Sequence, residues 1–157
     1  IPGRFEIVPS KQSFAAVVDY AHTPDGLENV LSTARELCSG KLICVFGCGG
    51  DRDRSKRPLM GAIAEKYSDE VIVTSDNPRS EDAEAIIDQI IAGMSNKCIV
   101  RRESDRRLAI AQAVTSRGSD DVVVIAGKGH ESTQTIGANE IEFNDVAVSR
   151  ELLKVAL

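Results

Sequence analysis

Short apolar runs alternate along this chain with segments whose apolar positions recur every three or four residues. Residues 14–18, 42–46, 70–73, 98–100 and 122–126 are rich in β-branched and other apolar side chains, and Gly, Asp or Asn bounds them, which is how buried strands read. Between them Leu27, Val30, Leu31, Ala34 and Leu37 keep a helical period, as do Met60, Ile63, Ala64 and Tyr67, and then Ile86, Ile87, Ile90, Ile91 and Met94. Each set predicts an amphipathic helix with one apolar stripe to bury. A weaker helix is predicted from Asp105 to about Ser116, and a last one over residues 145–157 with Asp145 as its N-cap. Residues 5–8 add an edge strand, and TQTIGANEIEF reads as a hairpin around Gly137, Ala138 and Asn139. Strands alternating with helices imply right-handed crossovers and a mostly parallel sheet. The predicted class is α/β, a three-layer Rossmann-like domain with helices on both faces and a small C-terminal hairpin.

Composition narrows the class of partner. The chain has 157 residues, 42% of them hydrophobic, enough for one globular domain over residues 1–157, with residues 1–13 as linker and edge strand. IPGR at the start has the Pro and Gly of an interdomain linker, so the sequence is expected to begin at a domain boundary of a longer, three-domain protein. Acidic residues outnumber basic ones by 24 to 19, a net charge of -5, which argues against general binding to nucleic acid or anionic membrane. No apolar run approaches the ~20 residues of a membrane helix, and no signal peptide is visible. The expected compartment is cytoplasmic or an equivalent reducing one, and Cys38, Cys44, Cys48 and Cys98 form no CxxC pair and read as free, mostly buried thiols rather than zinc ligands.

Candidate chemistry lies in the loops that follow the strands, because ligands of open α/β sheets bind beyond the strands' carboxyl ends. These loops read DYAHTPDG from Asp19, GCGGDRDRSKRP from Gly47, SDNPR from Ser75 and GKGHE from Gly127. They hold both histidines, His22 and His130, and the densest polar clusters, whereas the opposite edge has short turns such as Ser39-Gly40. GCGGDR lacks the third glycine of a dinucleotide fingerprint, Arg52 standing in its place, and no GxxxxGK[ST] occurs anywhere. If the domain works with ATP, another domain must hold the phosphates.

In SDNPR, Pro78 stiffens the turn and biases Asn77 toward an extended backbone. Arg79 offers a planar fork for a carboxylate, while Asp76 and the Asn77 carbonyl accept from an ammonium. With Arg52 and Glu131 from neighbouring loops, these groups make a receptor for the zwitterionic end of an amino acid. The competing reading of this loop alone is an Asp76–Arg79 pair that closes its own turn. Asp51, Asp53, Arg54, Lys56 and Arg57 read as mutual pairs or a solvated loop, and RRESDRR, residues 101–107, as a solvated face. Lys128 either neutralises substrate charge or is solvated, and His130 either titrates or fixes its loop.

DYAHTPDGLENVL, CVFGCGGDRDRSKRPLMGAIAE, SDNPR and AGKGHE, in this order and spacing, resemble the C-terminal domain of the Mur ligases over essentially the whole chain. The resemblance implies ATP-dependent amide-bond synthesis in peptidoglycan assembly: a nucleotide-linked dipeptide, UDP-MurNAc-L-Ala-D-Glu, is phosphorylated on its glutamate carboxylate, and an amino acid's amine attacks the acyl phosphate. Within the family DNPR accompanies meso-diaminopimelate as the amino acid, bound by residues at the positions of Arg52, Asp76, Asn77, Pro78, Arg79, Gly127 and Glu131. By the same matching Arg4 reaches the ATP phosphates, and Asp19 and His22 lie at the nucleotide. The P-loop and the Mg2+ ligands belong to the family's central domain, so this stretch alone is expected to be inactive and monomeric, with no metal site and no catalytic base of its own. The competing expectations are a scaffold protein without ligase activity and a small amino-acid-sensing domain.

Overall fold

The computed structural model describes residues 2–155. In chain order it contains β1 (Glu6–Ile7), β2 (Ala15–Asp19), α1 (Pro24–Leu37), β3 (Leu42–Phe46), α2 (Lys56–Tyr67), β4 (Glu70–Val73), α3 (Ala83–Ile91), β5 (Ile99–Arg102), α4 (Arg106–Ala113), β6 (Val122–Ala126), β7 (Thr133–Ile136), β8 (Asn139–Glu142) and α5 (Asp145–Leu153). Six strands form one sheet in the order β1-β2-β6-β3-β4-β5. All its neighbours are parallel except β1, which runs antiparallel to β2. β6, last of the parallel strands in sequence, lies between β2 and β3, with Val124 in register with both Val17 and Cys44.

Alternation along the strands builds the three layers. Val17, Cys44, Phe46, Val71, Val73 and Val124 point to the face covered by α1, α2 and α3. Val18, Ile43, Val45, Ile72, Val123 and Ile125 point to the face covered by α4 and α5. Each fully buried Val, Leu, Ile or Phe contributes about 1.5–3 kcal/mol from burial, and β3, β4 and β6 are buried along their whole length. The α/β, doubly covered architecture agrees with the sequence pattern.

Several features differ from expectation: α3 ends at Ile91, short of Met94, and α4 spans Arg106–Ala113, with Asp105 as its N-cap, and stops short of Ser116. β5 is mostly exposed rather than buried: it is the sheet's edge, which lets Arg101 and Arg102 stand in a strand. The N-cap of α5 is Asn144, whose extended backbone lets its side chain accept from the Ala147 N–H; Asp145 is fully buried and otherwise engaged. α5 closes at Leu153, and residues 156–157 of the predicted helix lie outside the described residues. Cys38, Cys44 and Cys48 are buried free thiols and Cys98 is half-buried. Among the described residues no helix is long and apolar enough to cross a membrane.

Candidate functional site

The loops after β2, β3, β4 and β6 meet at the carboxyl edge of the sheet. Arg52, Asp76, Asn77, Arg79, Gly127 and Glu131 line one cleft of about 430 Å³ there, together with Tyr20, His22, Cys48 and Lys56. The Asp76–Arg79 pair does not form among the described residues. Arg79 instead donates from Nη1 to the Gly50 carbonyl at 2.8 Å, and Asp76 faces the Lys128 ammonium at 3.7 Å. Pro78 is buried behind the wall, with its carbonyl against Gly50 so closely that any Cβ at residue 50 would collide with it. The two arginine-bearing loops thus touch backbone to backbone, and the Gly50 N–H donates to the Asn77 main-chain carbonyl at 2.7 Å.

Arg79 takes a left-handed backbone, φ 54°, a costly conformation for a residue with a side chain unless its surroundings hold it. The hairpin of β7 and β8 does so. The Arg79 N–H donates to the Thr135 carbonyl at 3.1 Å, and the Arg79 carbonyl accepts from Gly137 at 2.6 Å. Gln134, buried, donates from Nε2 to the Asp76 carbonyl at 2.7 Å. The hairpin was legible in the sequence, but its role as the brace of SDNPR was not. Arg52 is exposed and spends only one described donor within the chain, Nη1 on the Asp51 carbonyl at 2.9 Å.

Lys128 is fully buried, neither solvated nor at the rim. Its Nζ lies 3.0 Å from Asn77 Oδ1 and 3.3 Å from Glu131 Oε1. The Asn77 side-chain carbonyl, expected to accept from a ligand ammonium, therefore already accepts from Lys128, and from the Thr135 N–H at 2.9 Å as well. His130 is exposed and stands 6.5 Å from the Tyr20 ring. Cys48, at the cleft floor, has its thiol pushed up to about 12, first by burial, so it is no nucleophile at neutral pH.

Two further arginines hold these loops from behind, and the sequence reading placed both in solvent. Arg57 is fully buried. It donates from Nη1 to Glu81 Oε1 at 3.0 Å and Gln89 Oε1 at 2.9 Å, and from Nη2 to Glu81 Oε2 at 2.8 Å and the Gly49 carbonyl at 2.9 Å. The pairs expected within 51–57 are replaced by this external partner. Arg54 also reaches Glu81, at 3.3 Å, Lys56 donates to the His22 carbonyl, and Asp53 accepts from Ser55. Glu81 in turn accepts from the Asp51 N–H at 2.6 Å. The hydrogen bonds from Arg57, then that from Asp51, hold the Glu81 carboxyl well below the usual carboxylate range, at about 2.

Arg106 corrects the reading of RRESDRR. Arg101, Arg102 and Arg107 are exposed and paired with Glu70, with Glu84 and Asp88, and with Glu151, but Arg106 is buried. It grips Asp145 through Nε at 2.8 Å and Nη2 at 2.6 Å, and donates to the Ser75 carbonyl at 2.9 Å and the Ala126 carbonyl at 3.2 Å. Those carbonyls lie where SDNPR and GKGHE begin. A signal for both arginines was present: Arg57 shares the buried stripe of Met60, Gly61 and Ala64, and Arg106 that of Ala109, Ile110 and Ala113.

Arg4, Asp19 and His22 line a neighbouring cleft of about 460 Å³. The Arg4 guanidinium stands 5.2 Å from the Tyr20 ring centre, a residue the sequence reading passed over. Asp19 is committed within the chain: Oδ2 accepts from the Phe5 N–H at 2.8 Å and Oδ1 from the Ala21 N–H at 2.7 Å. His22 is exposed, with Nδ1 3.0 Å from the Tyr20 carbonyl oxygen. Among the described residues no group of three His, Cys, Asp or Glu side chains is arranged to hold a metal ion, and the two cleft carboxylates face Lys128 instead.

The family model described as Mur ligase, glutamate ligase domain, matches residues 3–129. The chain is 60% identical over 156 residues to a protein of Syntrophomonas wolfei named UDP-N-acetylmuramoyl-L-alanyl-D-glutamate–2,6-diaminopimelate ligase, covering 98% of this chain and 32% of that protein. It is 56% identical over 153 residues to the protein of the same name from Aquifex aeolicus, again covering 98% of this chain and 32% of the relative. A solved structure of a ligase of that name superposes with a TM-score of 0.91 at 44% identity, over 98% of this chain and 31% of its own. The chain spans about a third of the length of the curated relatives it matches. The matched family model, together with these identities over nearly the whole chain, places this chain in the Mur ligase family, as its glutamate ligase domain.

Proposed function

We propose that this chain is the amino-acid-binding domain of a cytoplasmic, monomeric ligase that adds meso-diaminopimelate to UDP-MurNAc-L-Ala-D-Glu at the expense of ATP. The observation that carries the reading is the meeting of Arg52, Arg79, Asp76, Asn77, Gly127 and Glu131 on one cleft. Arg52 and Arg79 are two planar forks suited to a carboxylate, and Asp76 and Glu131 are acceptors suited to an ammonium. Diaminopimelate carries both groups on its distal carbon, whereas lysine lacks the carboxylate there. An arginine facing lysine is left without its anion, and an unpaired polar group in a site built to bond it gives large discrimination. Holding the distal end in this way positions the other amine for attack on the glutamyl acyl phosphate.

Arg4 and His22 beside Tyr20 are the proposed nucleotide contacts. Asp19 supports them indirectly, through its bonds to the Phe5 and Ala21 N–H groups. ATP phosphates and Mg2+ are assigned mainly to a central domain outside this chain, so the isolated domain is expected to have no ligase activity. Calorimetry on the full-length protein, with its other substrates present, tests the reading: meso-diaminopimelate should bind far more tightly than L-lysine, and equal binding would sink it.

A further inference from the structure

The cleft contains an ammonium of its own. Lys128 Nζ is completely enclosed and lies 3.0 Å from Asn77 Oδ1, 3.3 Å from Glu131 Oε1 and 3.7 Å from Asp76 Oδ1. An ammonium has three N–H groups and no acceptor, and here three acceptors from two loops surround it. Its side chain starts beside Gly127, whose φ of 121° is closed to ordinary residues and whose Cβ position lies 2.8 Å from Asp76 Oδ2. The chain therefore turns sharply after β6 and sends Lys128 inward under SDNPR.

The consequence falls on Asn77. Its Oδ1 accepts from Lys128 and from the Thr135 backbone N–H, which uses both lone pairs of a carbonyl oxygen. A backbone N–H cannot reverse its role, so the amide's orientation is set, and its two Nδ2 hydrogens are what remain to a ligand. Asn77 then meets a ligand as a donor. Lys128 also separates two carboxylates, Asp76 and Glu131, that would otherwise repel each other across the site, and it leaves each an oxygen for a ligand ammonium.

We propose that Lys128 is a specificity-determining positioning residue: with the Thr135 N–H orienting the amide, its buried ammonium takes the remaining lone pair of Asn77 Oδ1, so that Asn77 offers a ligand only its N–H groups, which suit a carboxylate alongside Arg52 and Arg79. The inference rests on the amino-acid-binding reading of this cleft. Removing Lys128 leaves one lone pair of the Asn77 oxygen open to a ligand ammonium, although Thr135 still orients the amide, and makes the pocket more anionic. Ligands with a distal carboxylate should suffer, and ligands with a bare distal amine should gain in relative terms.

The test is steady-state kinetics of the full-length ligase with meso-diaminopimelate and with L-lysine, on wild type, Lys128→Met and Asn77→Asp. In Lys128→Met the ratio of kcat/KM for diaminopimelate over lysine should fall at least about tenfold, mainly through KM for diaminopimelate, with KM for ATP unchanged. A parallel loss for both amino acids, which a merely structural role produces, overturns the proposal, as does an unchanged ratio. If Lys128→Met does not fold, Asn77→Asp carries the test, since it keeps a partner for Lys128 and replaces the donor with an acceptor; a preserved ratio there also overturns it. Wild-type enzyme that uses both amino acids equally overturns the ligand reading and this inference with it, whereas a wild-type preference that persists in both variants overturns this inference alone.

Discussion

Four arginines serve the carboxyl edge of the sheet, and they divide into two layers that behave as opposites. Arg57 and Arg106 lie behind the cleft wall with no exposed side-chain surface, and apart from the unpartnered Arg57 Nε their donors are spent on carboxylates, on the Gln89 amide and on the backbone carbonyls of Gly49, Ser75 and Ala126. Arg52 and Arg79 stand at the cleft, the side chain of each making one described hydrogen bond, to a carbonyl of the GCGGDR loop. The difference is one of donors mostly spent on the chain against donors mostly left to a ligand. A buried cation survives only when its partners replace its hydration, so the back layer is rigid by necessity. The front layer keeps donors free, and the back layer holds in place the loops that carry them.

The largest expected effect breaks the back layer. Arg106→Leu leaves Asp145 buried and unpaired, and should destabilise the domain by about 3–5 kcal/mol, read from urea denaturation. A loss under about 1 kcal/mol would mean that Arg106 behaves like a surface arginine and that the two layers do not differ.

Acid sharpens the same contrast through Glu81. Its folded carboxyl titrates at about 2, against an ordinary value of 4.5. The stabilisation is therefore fully present above about 4.5 and is lost as pH falls toward 2. Within that window the wild-type domain should lose stability at a slope approaching 1.4 kcal/mol per pH unit from this group, about one proton's worth. Glu81→Gln should lack that part of the slope in a pH series of denaturation curves, while being less stable than wild type at neutral pH.

In the front layer the effects should move from stability to ligand. Arg79→Lys should raise KM for diaminopimelate by about tenfold or more in the full-length ligase, about 1.4 kcal/mol, because an ammonium cannot replace the planar fork. Its denaturation midpoint should shift by less than about 1 kcal/mol equivalent. A change in KM under about threefold would count against the role given to Arg79. Arg52→Lys is the smallest case: Arg52 is exposed, so KM should rise only about threefold, with stability within about 0.5 kcal/mol of wild type.

Much of the frame was legible because periodicity reports burial directly. Val71, Ile72 and Val73 read as a buried strand and are one; Ile86, Ile87 and Ile90 read as a helical stripe and pack as one. The exceptions were residues whose character and position disagree. Arg57 and Arg106 continue apolar stripes, but their charge reads as solvent in any one-dimensional pattern. Their true surroundings come from Glu81 and Asp145, 24 and 39 residues away. Asp145 read as a cap because it opens a helix, and it is instead the partner that allows Arg106 to be buried.

By itself the sequence determined which segments become strands and helices, and which loops gather at one edge of the sheet. Periods of two and of three to four residues decide which side chains can share a face, and topology puts the strand ends together. It also named the groups that line the cleft. Only the tertiary structure decided what each group has left to offer. Lys128 and Thr135 take the Asn77 side-chain oxygen and leave its N–H groups, the Phe5 and Ala21 N–H groups take the Asp19 carboxylate, and Gly50 takes one side-chain donor of five from Arg79. Hydrogen-bonding capacity is a property of the side chain, but what remains of it depends on neighbours that sequence distance conceals.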